Sequence, residues 1–335
     1  MNCAAARLAL LAGLLAPFVL GCGGDEDSDK DIRGVRLAAV TKALDNPFFV
    51  TMRAGLVATA RRDDVRLRVA AAPTGLKDTA GQASELESLA ADDPGCYVVN
   101  PINPTNLVAA LAGVPEDTPI VNVDSMIGEN AANALGVKVT TYIGTDNRAG
   151  GSLGADAMAA LVGRGASVAV ITGIPGDVGS GLRSEGFEAG NRGRFRVVAT
   201  IAADFDRKKA RLAVADLLAE NPRIDGFFAV NDLMALGAAD AVRAAGRQGD
   251  IKVVGFDGIS EALAAIARGS VSATVAQYPY TMGQLSIEAC LASLRGDRVP
   301  ANVNAPVQIV TSENVARARS NFPKPVESFD DPFTR

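Results

Sequence analysis

From residue 34 onward, short apolar runs alternate with longer stretches whose apolar residues recur every three or four positions. The runs 35–40, 67–71, 97–100, 120–123, 167–172, 196–201, 227–230, 253–256 and 273–276 read as strands. They are apolar at successive rather than alternate positions, as in parallel strands covered on both faces. The stretches 47–62, 78–91, 147–161 and 207–219 carry a helical period. Strands joined by helical crossovers predict parallel sheets. The pattern falls into two series of about 110–130 residues, the size of one domain each. It therefore predicts an α/β protein of two doubly wound lobes rather than one sheet of ten strands.

Composition narrows the chemistry. Hydrophobic residues make up 48% and charged residues 21% of the 335 positions, an ordinary globular balance. The net charge of −5 disfavours nucleic acid as a partner. The chain has no histidine, which excludes Ser-His-Asp and Cys-His nucleophile systems and every His-containing zinc site. Cys3, Cys22, Cys96 and Cys290 form no C-x-x-C, so no zinc ribbon or thioredoxin-type site is written here. Gly173, Gly176, Gly179 and Gly181 are not followed by the Lys-Ser/Thr of a phosphate-binding loop. No metal and no cofactor are expected. Asp204 and Asp206 are too weak a carboxylate pair to read as an enzyme's acid and base. Cys96 and Cys290 leave two readings, a disulfide in an oxidising compartment or two separately buried thiols, of which the second is favoured.

The amino terminus reads as an address. Arg7 is the only charge before residue 25, and 8–20 is an apolar run interrupted by Pro17. That length suits a signal-peptide core and falls short of a membrane span. It ends in Val19-Leu20-Gly21-Cys22, which resembles a bacterial lipobox. The resemblance implies cleavage before Cys22 and lipidation of that residue. The following acidic stretch, to residue 33, is expected to be a disordered tether between the membrane and an exported domain.

Parallel sheets bind ligands beyond the carboxyl ends of their strands. Here those ends carry Lys42, Asn46, Phe48 and Phe49; Asp124 and Ser125; the glycines before Arg183; Phe205 in Asp204-Phe205-Asp206; Asn231; and Asp257. Carboxylates, amides and cations hydrogen-bond vicinal hydroxyls, and phenyl faces suit the C–H faces of a sugar ring. The set points to a small polyhydroxylated ligand. Each residue also has a plainer role: Asn46 and Asn231 as helix caps, the phenylalanines as core, Asp124 as a turn former.

Lys42–Phe49 (KALDNPFF), 204–207 (DFDR), 231–237 (NDLMALG), 254–258 (VGFDG) and 273–277 (ATVAQ), in this order and spacing, resemble bacterial periplasmic sugar-binding proteins of the ribose- and allose-binding type. The resemblance implies two Rossmann-like lobes joined by a three-crossing hinge, near 143–145, 277–279 and 307–309. It gives a first lobe of 34–143 with 278–307 and a second of 144–277 with 308–318. The tail 319–335, with three prolines and mixed charge, is expected to be loosely ordered. The family implies ligand contacts for Lys42, Asn46, Phe48, Phe49, Asp124, Ser125, Arg183, Phe205, Asn231, Asp257 and Gln277. Ribose binders carry Arg after the aspartate equivalent to Asp124; Ser125 stands there instead, which points to another pentose, an allose-like hexose or a sugar alcohol. The implied role is the substrate-binding lipoprotein of an ATP-driven importer, a monomer that closes on its sugar and docks on a permease. The alternative is a receptor that presents the same ligand to a chemoreceptor or kinase.

Overall fold

The computed structural model describes residues 32–220 and 223–333. The signal peptide, Cys22 and all of the acidic tether but its last two residues lie outside them. In chain order the first lobe contains β1 (Arg36–Thr41), α1 (Pro47–Arg62), β2 (Arg66–Ala71), α2 (Thr79–Ala90), β3 (Cys96–Val99), α3 (Val108–Leu111), β4 (Ile120–Val123), α4 (Glu129–Ala134) and β5 (Thr141–Gly144). The second contains α5 (Asn147–Leu161), β6 (Ser167–Thr172), α6 (Val178–Asn191), β7 (Arg196–Ala202), α7 (Arg207–Glu220), β8 (Gly226–Ala229), α8 (Asp232–Ala244), β9 (Lys252–Asp257), α9 (Ser260–Ala267) and β10 (Ala273–Gln277). Then α10 (Pro279–Arg295) and β11 (Asn302–Asn304) return to the first lobe, and β12 (Val307–Thr311) and α11 (Val315–Asn321) to the second.

The first sheet has the order β11-β5-β4-β3-β1-β2 and is parallel throughout. The second has the order β12-β10-β9-β8-β6-β7, with only β12 antiparallel. Both faces of each sheet are covered. Leu37, Ala39, Val98 and Val121 pack with Met52, Leu56 and Leu285 on one side of the first sheet. Ala38, Val40 and Val99 pack with Leu86, Leu89 and Leu107 on the other. That two-sided burial is why the strands read as unbroken apolar runs.

The chain crosses between the sheets at 144–147, at 277–279 and between Asn304 and Val307. The third crossing comes slightly earlier than expected, because Val307 already pairs with Gln277. Glycine lets α10 seat directly on α1: a Cβ on Gly55 would lie 2.0 Å from the Tyr280 carbonyl oxygen.

Two expectations are corrected. Cys96 and Cys290 are joined by a disulfide, not two separate thiols. They are 194 residues apart in sequence, yet α10 lies over β3 and brings their Cα atoms to 5.8 Å, within bridging range. The tail is also better packed than its composition implied. Val326 rests on the second lobe's Tyr278–Val310 cluster, and Phe329 and Phe333 rest on the first lobe's core.

Candidate functional site

Between the carboxyl ends of the two sheets lies a cleft of about 660 Å³, a size suited to a small ligand. Every residue expected on the ligand lines it except Gln277.

On the first lobe, β1 runs into a loop whose Asn46 caps α1. Its Oδ1 accepts from the Phe48 backbone N–H at 2.9 Å, and Pro47 occupies the first helical position. The cap uses the oxygen and leaves the amide NH₂ as a donor on the cleft wall. The cap also turns Phe48 and Phe49 inward, with ring centroids 5.2 Å apart and edge to face. Lys42 Nζ sits 5.8 Å from the Phe49 centroid and 4.0 Å from Asp124 Oδ2. Asp124 ends β4 with φ at 63°. Asn100, in the amide orientation that its neighbours require, donates to Asp124 Oδ2 at 3.2 Å. The Ser125 hydroxyl donates to the same oxygen at 3.4 Å.

On the second lobe the centre is Arg183 of α6. Its Nε donates to Asn147 Oδ1 (2.7 Å) and its Nη1 to the Val230 carbonyl (2.8 Å) and Asp257 Oδ1 (3.4 Å). The guanidinium carbon lies 4.1 Å from the Phe256 ring centroid. A planar fork can satisfy these partners together; an ammonium cannot. The approach of α6 to α5 makes this reach possible. A Cβ on Gly151 would lie 2.1 Å from the Arg183 carbonyl oxygen, and one on Gly186 2.1 Å from that of Arg148.

Asn231 caps α8 through Met234 N at 2.9 Å and still lines the cleft. Phe205 takes φ of 59°, and its ring occupies the space that a side chain at Gly173 would fill. Asp257 has φ of 125°. Left-handed backbone at Asp124, Phe205 and Asp257 costs free energy, and such strain collects at functional sites.

Asp257 is fixed from behind by two residues. Gln277 Nε2 donates to Asp257 Oδ1 at 2.8 Å and so helps to position the carboxylate, while its Oε1 is buried without a hydrogen-bond partner. The buried Asp232 accepts from the Gly258 and Ile259 N–H groups at 2.7 and 2.9 Å and from the Thr274 hydroxyl at 2.7 Å. Asp232 thereby shapes the turn that presents Asp257. Its place in the first turn of α8, next to the Asn231 cap, offered no sequence signal for this role. Burial raises its pKa, with the charge of Asp257 adding to the effect.

Burial pushes the Asp257 carboxyl up to about 6, opposed by Arg183 and Gln277 and reinforced by Asp124. Hydroxyls donate to a carboxylate and so favour its ionised form. Ligand binding is therefore expected to release a proton near pH 6. If Asp257 must be ionised, affinity at pH 5 is expected to be about tenfold weaker than at pH 8. Without ligand the sign reverses. The folded protein holds this proton between about pH 4 and 6, so the Asp257 contribution to stability falls as pH rises through that window. Calorimetry in buffers of different ionisation enthalpy checks the release; affinity independent of pH from 5 to 8 would remove Asp257 from the ligand.

Sequence reasoning missed Tyr142, Asn147, Asn302 and Asn304, all on the cleft wall. The first two flank the crossing expected at 143–145, and the last two lie on a strand of three residues. It also missed Lys77, whose Nζ reaches across to Asp204 Oδ2 at 2.9 Å, an oxygen shared with Lys209 at 2.7 Å. These two lysines hold the Asp204 carboxyl below its ordinary pKa, Lys209 more than Lys77. Lys77 follows β2 and Asp204 follows β7, so the pair bridges the lobes. Lys77 is largely exposed and Asp204 partly so, and pairs open to solvent in this way contribute little. Lys77→Met is expected to speed ligand dissociation about two- to fivefold at low salt and not at ~1 M salt. Stopped-flow release measures this; equal rates at low salt would rule out a latch.

The periplasmic binding protein domain matches residues 37–298. The chain belongs to that family. Within it, the chain is 34% identical over 271 residues to the ribose import binding protein of Bacillus subtilis, covering 81% of this chain and 85% of that one. It is 33% identical over 266 residues to the D-allose-binding periplasmic protein of Escherichia coli, covering 78% and 85%. In structure it resembles a periplasmic solute-binding protein of an ABC transporter from Actinobacillus succinogenes, crystallised with D-allose. That match has a TM-score of 0.79 and 30% identity over 84% of this chain and 99% of that one. The periplasmic binding protein fold accounts for the two sheets, the three crossings and a cleft at the strand ends.

Proposed function

We propose that the protein is the exported sugar-binding component of an ATP-driven importer, taking a monosaccharide or sugar alcohol into the interlobe cleft. The observation that carries this reading is the pairing of opposed walls. Lys42, Asp124 and two phenylalanines on one lobe face Arg183, Asp257 and Phe205 on the other. Carboxylates accept from hydroxyls, cations and amides donate to them, and the rings cover the sugar's C–H faces. Ligand bound by both walls stabilises the closed arrangement, because each wall supplies contacts that only closure brings together. The closed form docks on a membrane permease, and a lipid on Cys22 keeps the receptor at the membrane as a monomer. The ribose- and allose-binding relatives support the sugar class.

The test is thermal unfolding of the purified, ligand-free protein against pentoses, hexoses and sugar alcohols. Ligand at 100 times its Kd is expected to add ~2.7 kcal/mol of stability. That amounts to a rise of roughly 5–10 °C in Tm. No shift with any of these compounds would overturn the reading.

A further inference from the structure

β11 is the edge strand of the first sheet and pairs in parallel with β5, placing Asn302 beside Tyr142 and Asn304 beside Gly144. Strand side chains alternate between faces. Val303 and Ile143 accordingly turn into the core, while Tyr142, Asn302 and Asn304 line the cleft. The tyrosine is held in place. Its hydroxyl donates to the Asp124 carbonyl oxygen at 2.8 Å. Its ring lies over Gly144, where a Cβ would fall 2.1 Å from the phenol oxygen. Gly144 is therefore the residue that lets the phenol lie flat along the strand. The short Ser125 side chain lines the same cleft.

From this arrangement we infer that Tyr142, Asn302 and Asn304 form a subsite for a hydroxyl-bearing extension of the ligand beyond a five-carbon ring, and so select six-carbon sugars over pentoses. The inference rests on the sugar-binding reading above. The phenol proton is already committed to Asp124, so toward ligand the Tyr142 oxygen only accepts. The two side-chain amides can both donate and accept. An acceptor beside amide donors matches a hydroxyl, which has one proton to give and lone pairs to receive. A phosphate or carboxylate in the same place would have no proton for the phenol oxygen and would lie near the Asp124 carboxylate. The extension is thus neutral: a hydroxymethyl group, not a phosphorylated or oxidised one.

D-ribose and D-allose are suitable probes, because their pyranose forms differ by one hydroxymethyl group. Calorimetric Kd values are measured for both sugars with the wild-type protein and with Asn304→Ala, Tyr142→Phe and Gly144→Ala. The wild-type protein is expected to bind allose at least tenfold more tightly than ribose. Each substitution is expected to reduce that ratio, by about tenfold for Gly144→Ala, which dislodges the phenol while leaving it present. Far-ultraviolet circular dichroism identifies any variant that fails to fold, and the remaining variants carry the test. A wild-type preference for ribose, or a ratio that no folded variant changes, overturns the subsite alone. Absence of binding of either sugar to the wild-type protein overturns the subsite and, if the wider sugar panel is also silent, the sugar-binding reading with it.

Discussion

Arg183→Met is expected to weaken sugar binding by about 100-fold or more. Arg183 is buried, and the substitution removes one member of a desolvated charge pair, for which losses of ~2–5 kcal/mol are typical. Three further changes add to the loss. The Val230 carbonyl and Asn147 Oδ1 lose their donor. The Phe256 face loses its stacked guanidinium. Arg183 is also the strongest influence holding the Asp257 pKa down against burial. Without it that pKa rises above about 6, and residual binding is expected to shift its acid limit to higher pH. This second readout separates a ligand role from a packing role. Calorimetry from pH 5 to 9 supplies both measurements. A loss below fivefold with an unmoved pH profile would assign Arg183 to packing. Arg183→Lys is expected to recover little, because one ammonium cannot reach Asn147, Val230 and Asp257 while covering Phe256.

Removing the Cys96–Cys290 disulfide is the second large effect. The bridge closes a loop of 194 residues that contains the second lobe from α5 to β10, leaving only β12 and α11 outside it. Losing such a bridge costs about 2–5 kcal/mol, chiefly because the unfolded chain regains freedom. For domains of this size that corresponds to a fall in Tm of about 5–15 °C. The double variant Cys96→Ala/Cys290→Ala avoids leaving a lone thiol. Its transition is expected to move downward while saturating sugar still raises it, since neither cysteine lines the cleft. The bridge ties α10 to β3, so hydrogen exchange is expected to increase most in α10 and in the α1 face beneath it. A change in Tm below 2 °C would mean that α10 is held by its apolar packing alone.

What could be read from the sequence follows from what is local. Strands covered on both faces must be apolar at consecutive positions, so β1, β4, β6 and β9 were legible, and with them two parallel lobes. The ends of those strands are sequence neighbours of the strands themselves, which is why Asn46, Asp124, Asn231 and Asp257 could be named. Residues whose role depends on distant partners were not legible in this way. β11 has three residues, two of them Asn, and becomes a strand only because β5 offers it an edge. Tyr142 and Asn147 lie where the chain changes lobes, and their use depends on Gly144 and Arg183 across the fold. Gln277 sits in a recognisable motif, but its bond to Asp257 depends on the turn that Asp232 holds. Cys96 and Cys290 are chemically able to pair in any chain; only the return of α10 over β3 brings them within reach. The sequence by itself thus determined the lobes, the strand ends and the chemical character of the cleft, because backbone periodicity and side-chain type are local properties. The tertiary structure decided which side chains line the cleft together, which hydrogen bonds hold them and which cysteines meet, because those depend on distances between segments far apart in the chain.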